Sequence, residues 1–350
     1  MGIEVITGIA KTGVIGLIRG KQPGITVAIR ADMDALPVLE ENKCTYKSEV
    51  PGKMHACGHD AHIACVLGAA EIINSMRDKL SGNVKLIFQP AEEMLGGAAL
   101  MIKEGVLETP DVDVCIGAHV WPDVPSGKIL VNYGSVFAAM DRFEIVIKGK
   151  GGHGAMPHMA IDPIVTGCQV VSAIQTIISR RVSPLDAAVI SVCSFHSGSS
   201  NNVIPDRAII KGSIRTLDME TREKIPEMMH QIIDGVTKSM GAEYELNMEK
   251  LVPVVLNDRN VTDVFVKAAA QIMGDSNIIV CNEPSMVSED FSYFTQRVPS
   301  TYFRLGCGNS GKGSVHTLHS SEFDIDEGCI LTGMEVFTQF AVDYLMEGRC

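Results

Sequence analysis

Long apolar runs are missing from this 350-residue chain. No stretch approaches the roughly 18 uninterrupted apolar residues of a spanning helix, which excludes an integral helical membrane protein. Positive charge is short as well: 30 Lys and Arg stand against 42 Asp and Glu, a net charge of −12. No basic block offsets that balance, so the average surface repels a nucleic-acid backbone. The opening MGIEVITGIAKTGVIGLIRGK lacks a basic start, a continuous apolar stretch and a small-residue cleavage site. Nothing in it marks the chain for export, and a cytoplasmic location is expected. Close-spaced cysteine pairs are absent too. The ten cysteines, at positions 44, 57, 65, 115, 168, 193, 281, 307, 329 and 350, are scattered without a CxxC, which reads as reduced thiols and not a disulfide frame. With 46% hydrophobic and 21% charged residues the chain is ordinary for a globular protein with a sizeable core. At roughly 150 residues per domain its length suggests about two domains.

The pattern along the chain separates those domains. Gly24 to Asp32 (GITVAIRAD) is a β-branched run bounded by Pro23-Gly24 and ending in charge, which predicts a buried strand. Apolar residues at helical spacing over 60–79 predict a helix. A strand over 83–88, a helix over 97–104 and a strand over 113–117 follow. That alternation predicts an α/β layer with a largely parallel sheet. From Asp141 the order changes to strand (141–148), helix (162–181), strands (187–195 and 208–216), helix (219–240) and strand (243–251). This β-α-β-β-α-β order is that of a ferredoxin-like α+β domain. It occupies 141–251, inserted between α/β segments 1–140 and 252–350. A helix over 261–273, a strand over 301–305 and a helix over 326–346 complete the second segment.

Metal-capable residues gather in the α/β segments: His55-Ala-Cys57-Gly-His59-Asp60-Ala-His62, Glu92-Glu93, His119, and His316 with His319. Each falls where a strand is expected to end, and ligands of open α/β sheets bind outside the carboxyl ends of strands. Three imidazoles, a thiol and a carboxylate within eight residues suit a borderline ion such as Zn, Mn, Co or Ni better than Ca or Mg. Adjacent glutamates are ordinarily a solvated turn. Beside a metal, one can ligate while its neighbour accepts a proton from water.

IRADMDALP, MHACGHDAH, FQPAEEMLGGA, GAHVWP, GKGGHGAMPH, NVIPDRA, GSIRT, SEDF and TLHSSEF occur in this order. Together they resemble the metallopeptidase family of aminoacylases, carboxypeptidase G and succinyl-diaminopimelate desuccinylase, over essentially the whole chain. The cysteine of HACGHD points to the branch of bacterial N-acyl-amino-acid amidohydrolases, hippurate hydrolases and plant auxin-conjugate hydrolases. The resemblance implies a zinc-peptidase-like catalytic domain and a lid domain that pairs two chains into a homodimer. It implies two divalent ions (Mn, Zn, Co or Ni) held by Cys57, His59, Glu93, His119 and His319, with Glu92 as general base. Asp32 and Asp34 then support the ligands from behind. His153 matches a histidine that donates across the dimer to the carbonyl oxygen, while Asn202 and Arg215 match residues that grip the substrate carboxylate. Glu289-Asp290 reads as a pocket wall or a helix start, not as a ligand pair. The implied activity is hydrolysis of the N-acyl bond of an N-acyl-amino acid, a small-molecule substrate. A dipeptidase, an N-acyl-diaminopimelate deacylase and a non-catalytic binding relative are the alternatives. Family members carry a further N-terminal segment with a helix ahead of the point matching Met1. An exposed apolar patch where that helix would pack, with reduced stability, is therefore expected.

Overall fold

The computed structural model describes residues 1–347, which form two compact units. Residues 1–136, 255–284 and 289 onward make the first; residues 137–254 and 285–288 make the second.

The first unit opens with β1 (Glu4–Ile9), β2 (Gly13–Arg19) and β3 (Gln22–Asp32). Next come α1 (His59–Ser75), β4 (Ser81–Gln89), α2 (Gly97–Lys103), β5 (Val114–Pro125) and β6 (Ile129–Asn132). The second unit contributes β7 (Ala139–Lys148), α3 (Pro163–Arg180), β8 (Ala188–Ser197), β9 (Arg207–Thr216), α4 (Met219–Ser239) and β10 (Glu243–Val252). The chain then returns to the first unit with α5 (Arg259–Met273), β11 (Ile278–Cys281), α6 (Ser292–Thr295), β12 (Ser300–Gly308) and α7 (Gly328–Glu347).

Eight strands of the first unit form one sheet in the order β1-β2-β4-β3-β5-β12-β6-β11. Its four central strands, β4, β3, β5 and β12, run parallel. Alternation decides what each face does. Val27, Ile29 and Ala31 of β3 join Val84, Leu86, Ile116, Ala118, Phe303 and Leu305 in the core under α1, α5 and α7. The intervening Arg30 and Asp32 point to the other face, where both are buried and charged. β5 runs further than the predicted 113–117, because its pairing with β12 continues to Pro125. His119 therefore sits inside a strand, not at its end. The helix predicted over 60–79 stops at Ser75 and closes in a short 3-10 turn, Arg77–Lys79. β1 is exposed along nearly its whole length and carries Val5 and Ile6 into solvent, as α1 does Leu67 and Ile72.

In the second unit four antiparallel strands order β8-β9-β7-β10, the ferredoxin-like arrangement. Ile145, Ile147, Ile210 and Ile214 pack under Val170, Ile174 and Ile177 of α3 and Ile225, Met229 and Ile233 of α4. Both helices start at an aspartate: Asp162 accepts from Ile164 N (2.8 Å) and Asp218 from Thr221 N (2.6 Å). Asp141 and Arg222 form a buried ion pair at 2.6 Å beneath the sheet. Among the described residues no helix is long and apolar enough to cross a membrane, and all nine described cysteines are free. Cys350 lies outside the described residues.

Candidate metal centre

Parallel strands deliver the site residues to the carboxyl end of the sheet's centre. β3 ends at Asp32 with Asp34 just beyond, and β4 ends at Gln89 before the loop carrying Glu92 and Glu93. Cys57 precedes α1, His59 is the first residue of that helix, His119 lies on β5, and His319 sits in the segment ahead of α7. Between Cys57 and His59 the backbone turns left-handed at Gly58 (φ +78°), where a Cβ would come within 2.4 Å of Val120. Only glycine meets both conditions.

Hydrogen bonds fix the imidazoles. His59 donates from Nδ1 to the carbonyl oxygen of Asp34 (2.9 Å), and His119 from Nδ1 to that of Val120 (2.7 Å). Each ring then presents an Nε2 lone pair, the usual arrangement behind a metal. His119 Nε2 and His319 Nε2 each lie 3.3 Å from Cys57 Sγ. Glu93 Oε1 is 3.3 Å from His319 Nε2 and 4.0 Å from His59 Nε2. Both His59 Nε2 and Glu93 Oε1 are buried without a hydrogen-bond partner. Two such acceptors facing each other are costly unless a cation joins them. Among the candidate groups, Cys57–His59–His119 and Cys57–Glu93–His319 overlap at Cys57, and His59, Glu92 and Glu93 make a further one, with the ligand atoms of each within 4.8 Å of one another. Thiolate, imidazole and carboxylate fit borderline divalent ions.

His62, part of the same sequence cluster, is occupied otherwise. Its Nδ1 meets Asp32 Oδ1 at 2.5 Å and its Nε2 accepts from Val120 N (2.9 Å), so neither nitrogen is left for an ion. Asp34 holds the corner that carries both glutamates, since its two oxygens accept from Glu92 N and Glu93 N at 3.0 Å each.

Charge in the site is strongly perturbed. Burial, reinforced by Glu289, Asp290 and Asp32, holds the Glu92 carboxyl well above the usual range, against the pull of Arg30. Burial, with Glu93, Glu92 and Asp32, likewise raises the Cys57 thiol. Burial and the neighbouring His62 keep His119 well below its ordinary value, the neutral form a ligand requires. Burial opposes a charged His59, but Asp32, Asp34 and Glu93 outweigh it and push it up to about 9, so without an ion Nε2 carries a proton that a bound cation would displace.

Behind the ligands lies a buried network that the sequence did not disclose. Arg30, 1% exposed, donates from Nη1 to Asp32 (2.7 Å), from Nη2 to Glu289 and Asp290 (2.9 Å each), and from Nε to Gln89 (2.9 Å). Tyr302 donates its hydroxyl to Glu289 at 2.7 Å. Glu289 and Asp290 do precede α6, with Glu289 accepting from Phe291 N. The signal available was an arginine inside an otherwise apolar strand.

The remaining predicted residues belong to the second unit. His153 pairs with Val203 in a short antiparallel bridge, and Gly154 N donates to Asn202 O (2.8 Å), so His153 and Asn202 share one groove of about 910 Å³. His153 Nδ1 accepts from Ala155 N (3.1 Å), which leaves Nε2–H as a donor on an exposed ring. Arg215, on β9, uses Nη1 on Met286 O (2.7 Å) and Ser288 Oγ (2.9 Å).

Residues 28–343 match the model of peptidase family M20/M25/M40. The chain is similar to thermostable carboxypeptidase 1 of Saccharolobus solfataricus, with 42% identity over 98% of this chain and 87% of that protein. It is 49% identical to an N-acyl-L-amino acid amidohydrolase of Geobacillus stearothermophilus over 68% of this chain and 64% of that one. A solved dinuclear metal-binding M20 peptidase from Bacillus subtilis superposes with a TM-score of 0.83 at 35% identity, covering 98% of this chain and 88% of that chain.

Proposed function

The chain belongs to peptidase family M20/M25/M40, and we propose that it hydrolyses the N-acyl amide bond of N-acyl-amino acids. Cys57, His59, Glu93, His119 and His319 would hold two divalent ions. When bound, such ions polarise the acyl carbonyl and lower the pKa of water. Glu92 carries the reading. It is buried, lies against the ligand group of His59 and Glu93, and is not needed to complete either donor set. A carboxylate so placed takes a proton from the attacking water and returns it to the leaving amine.

His153 would donate from Nε2 to the developing oxyanion. Arg215, braced through Nη1, has its other guanidinium nitrogens for a substrate carboxylate, and Asn202 would share that grip. An amino acid is then the leaving group. We assign the second unit the role of lid and dimerisation domain. Its two sheet edges differ: β10 presents Glu243, Glu245 and Glu249, whereas residues 187–200 along β8 carry no Asp, Glu, Lys or Arg. Charge guards one edge, and the uncharged one is open to a second copy. The free cysteines fit a reducing, cytoplasmic setting.

A peptidase reading keeps the same machinery, and the similarity to a carboxypeptidase favours testing it. Stripped protein would be reloaded with Mn, Zn, Co or Ni. Amine release would then be measured from N-acetyl-, N-benzoyl- and N-succinyl-amino acids and from N-blocked dipeptides. Metal-dependent release from the N-acyl-amino acids supports the reading. Release from the blocked dipeptides alone favours a peptidase. Folded protein that binds two ions and turns over nothing refutes both.

A further inference from the structure

We propose that Asp290, held by Arg30, is the positioning residue for the loop that carries Glu92 and Glu93. This inference deepens the hydrolase reading and rests on it for the role given to Glu92. The loop spans residues 90–96 between the last residue of β4 and the start of α2. One carboxylate holds both of its ends. Asp290 Oδ1 accepts from Gln89 Nε2 (2.7 Å) on the incoming stem, and Oδ2 accepts from Ala98 N (3.0 Å) on the outgoing one. Arg30 Nη2 donates to the same Oδ1 (2.9 Å), while Arg30 Nε binds the Gln89 oxygen (2.9 Å).

The loop has reason to need a clamp. Its stems touch: Gly97 N donates to Ala91 O (3.2 Å), and a Cβ on Gly97 would lie 1.7 Å from Pro90 O. Ala91 (φ +56°) and Leu95 (φ +55°) both hold left-handed backbone without being glycine. Each such residue costs on the order of 1 kcal/mol and persists only where its surroundings over-determine it. Asp34 fixes the tip through Glu92 N and Glu93 N. Asp290 fixes the base. With both in place, the ligand carboxylate and its neighbouring base point in set directions. An ion pair that merely stabilised the core would have no reason to join two stems of the loop bearing the catalytic glutamates.

The test is Asp290→Asn, which preserves size but turns an NH2 group toward the Gln89 and Arg30 donors or toward Ala98 N–H. Expected in the metal-loaded enzyme is a fall in kcat of about ten- to a hundredfold with KM changed less than about twofold, the signature of a displaced reacting group. Metal content at saturating ion should be unchanged, because four of the five ligands lie outside the loop. Independently of activity, amide hydrogen exchange over residues 91–97 should accelerate about tenfold or more, while the interior of α1 and β5 stays as in the parent. Unchanged kcat, or exchange that rises uniformly across the first unit, overturns the proposal. Should Asp290→Asn fail to fold, Gln89→Leu releases the incoming stem from Asp290, at the cost of the Arg30 Nε acceptor, and leaves the Arg30–Asp290 pair, with the same two readouts deciding. If the parent protein cleaves no N-acyl-amino acid, the hydrolase reading falls, and the exchange experiment still decides whether Asp290 clamps the loop.

Discussion

Glu92→Gln should make the metal-free protein more stable and the loaded enzyme nearly inactive. The Glu92 carboxyl is 6% exposed and stands with Glu289 and Asp290 in a group whose oxygens lie within 4.8 Å of one another. Two like charges at that distance repel by about 3.5 kcal/mol at an effective dielectric of ~20, and Arg30 returns part of this. Burial acts in the same direction. A carboxyl whose folded pKa lies above the unfolded value near 4.5 binds more protons when folded, so its contribution to stability falls as pH rises past that value. Near pH 8, after chelation, the glutamine variant should therefore exceed the parent by about 1–3 kcal/mol, a Tm gain of about 1–2 °C per kcal/mol. At pH 5 the gap should narrow. Activity with metal restored should drop by about a hundred- to ten-thousandfold, the worth of a general base. Differential scanning calorimetry at the two pH values, paired with amine-release kinetics, reads both effects. A variant less stable than the parent at pH 8, a gap that does not close toward pH 5, or kcat kept within about tenfold would refute the reasoning.

Cys57→Ser removes the donor common to both ligand groups, so bound metal measured by mass spectrometry should fall from two ions per chain to one or none. Gly97→Ala should cut kcat severely and weaken metal binding, since its Cβ would meet Pro90 O at 1.7 Å and force open the loop that carries both Glu92 and the ligand Glu93; near-parental kcat would show that the loop tolerates displacement. Asp326 accepts from Asn309 Nδ2 (2.6 Å), Lys312 Nζ (2.8 Å) and Gly328 N (3.1 Å), and those hydrogen bonds lower its carboxyl to about 2. The unfolded carboxyl titrates near 3.8, so this stabilisation is complete above about pH 4 and fades as pH falls toward 2. Asp326→Asn should cost about 1–2 kcal/mol at pH 7 in urea titrations and progressively less below pH 4. Arg222→Ala leaves Asp141 buried without its cation, and should destabilise by about 3–5 kcal/mol; a loss under about 1 kcal/mol would show that water reaches Asp141.

What the chain discloses before folding depends on how far apart the cooperating residues lie. Cys57, His59 and Glu92-Glu93 announce themselves because ligands cluster locally and follow strands, and the ferredoxin-like unit is legible because its helices and strands alternate cleanly. β6 and β11 escape because four-residue strands lack a period of their own and exist through pairing with each other and with β12. β5 is foreshortened in the reading because WPDVP looks like a stop, whereas its prolines sit where the pairing with β12 shifts register. The Arg30 network is the harder case, since Glu289 is 259 residues away. Even so, part of it was derivable. Arg30 and Asp32, two apart in a β-branched run, must share a face of a buried strand. A guanidinium has five N–H donors in a fixed fork, and Asp32 takes one of them here. The other donors cannot stay unpaired at that depth without a cost of several kcal/mol. A second acidic group from elsewhere in the chain was thus demanded by the strand itself. Its identity, and its reach to both stems of the Glu92 loop, came only with the fold.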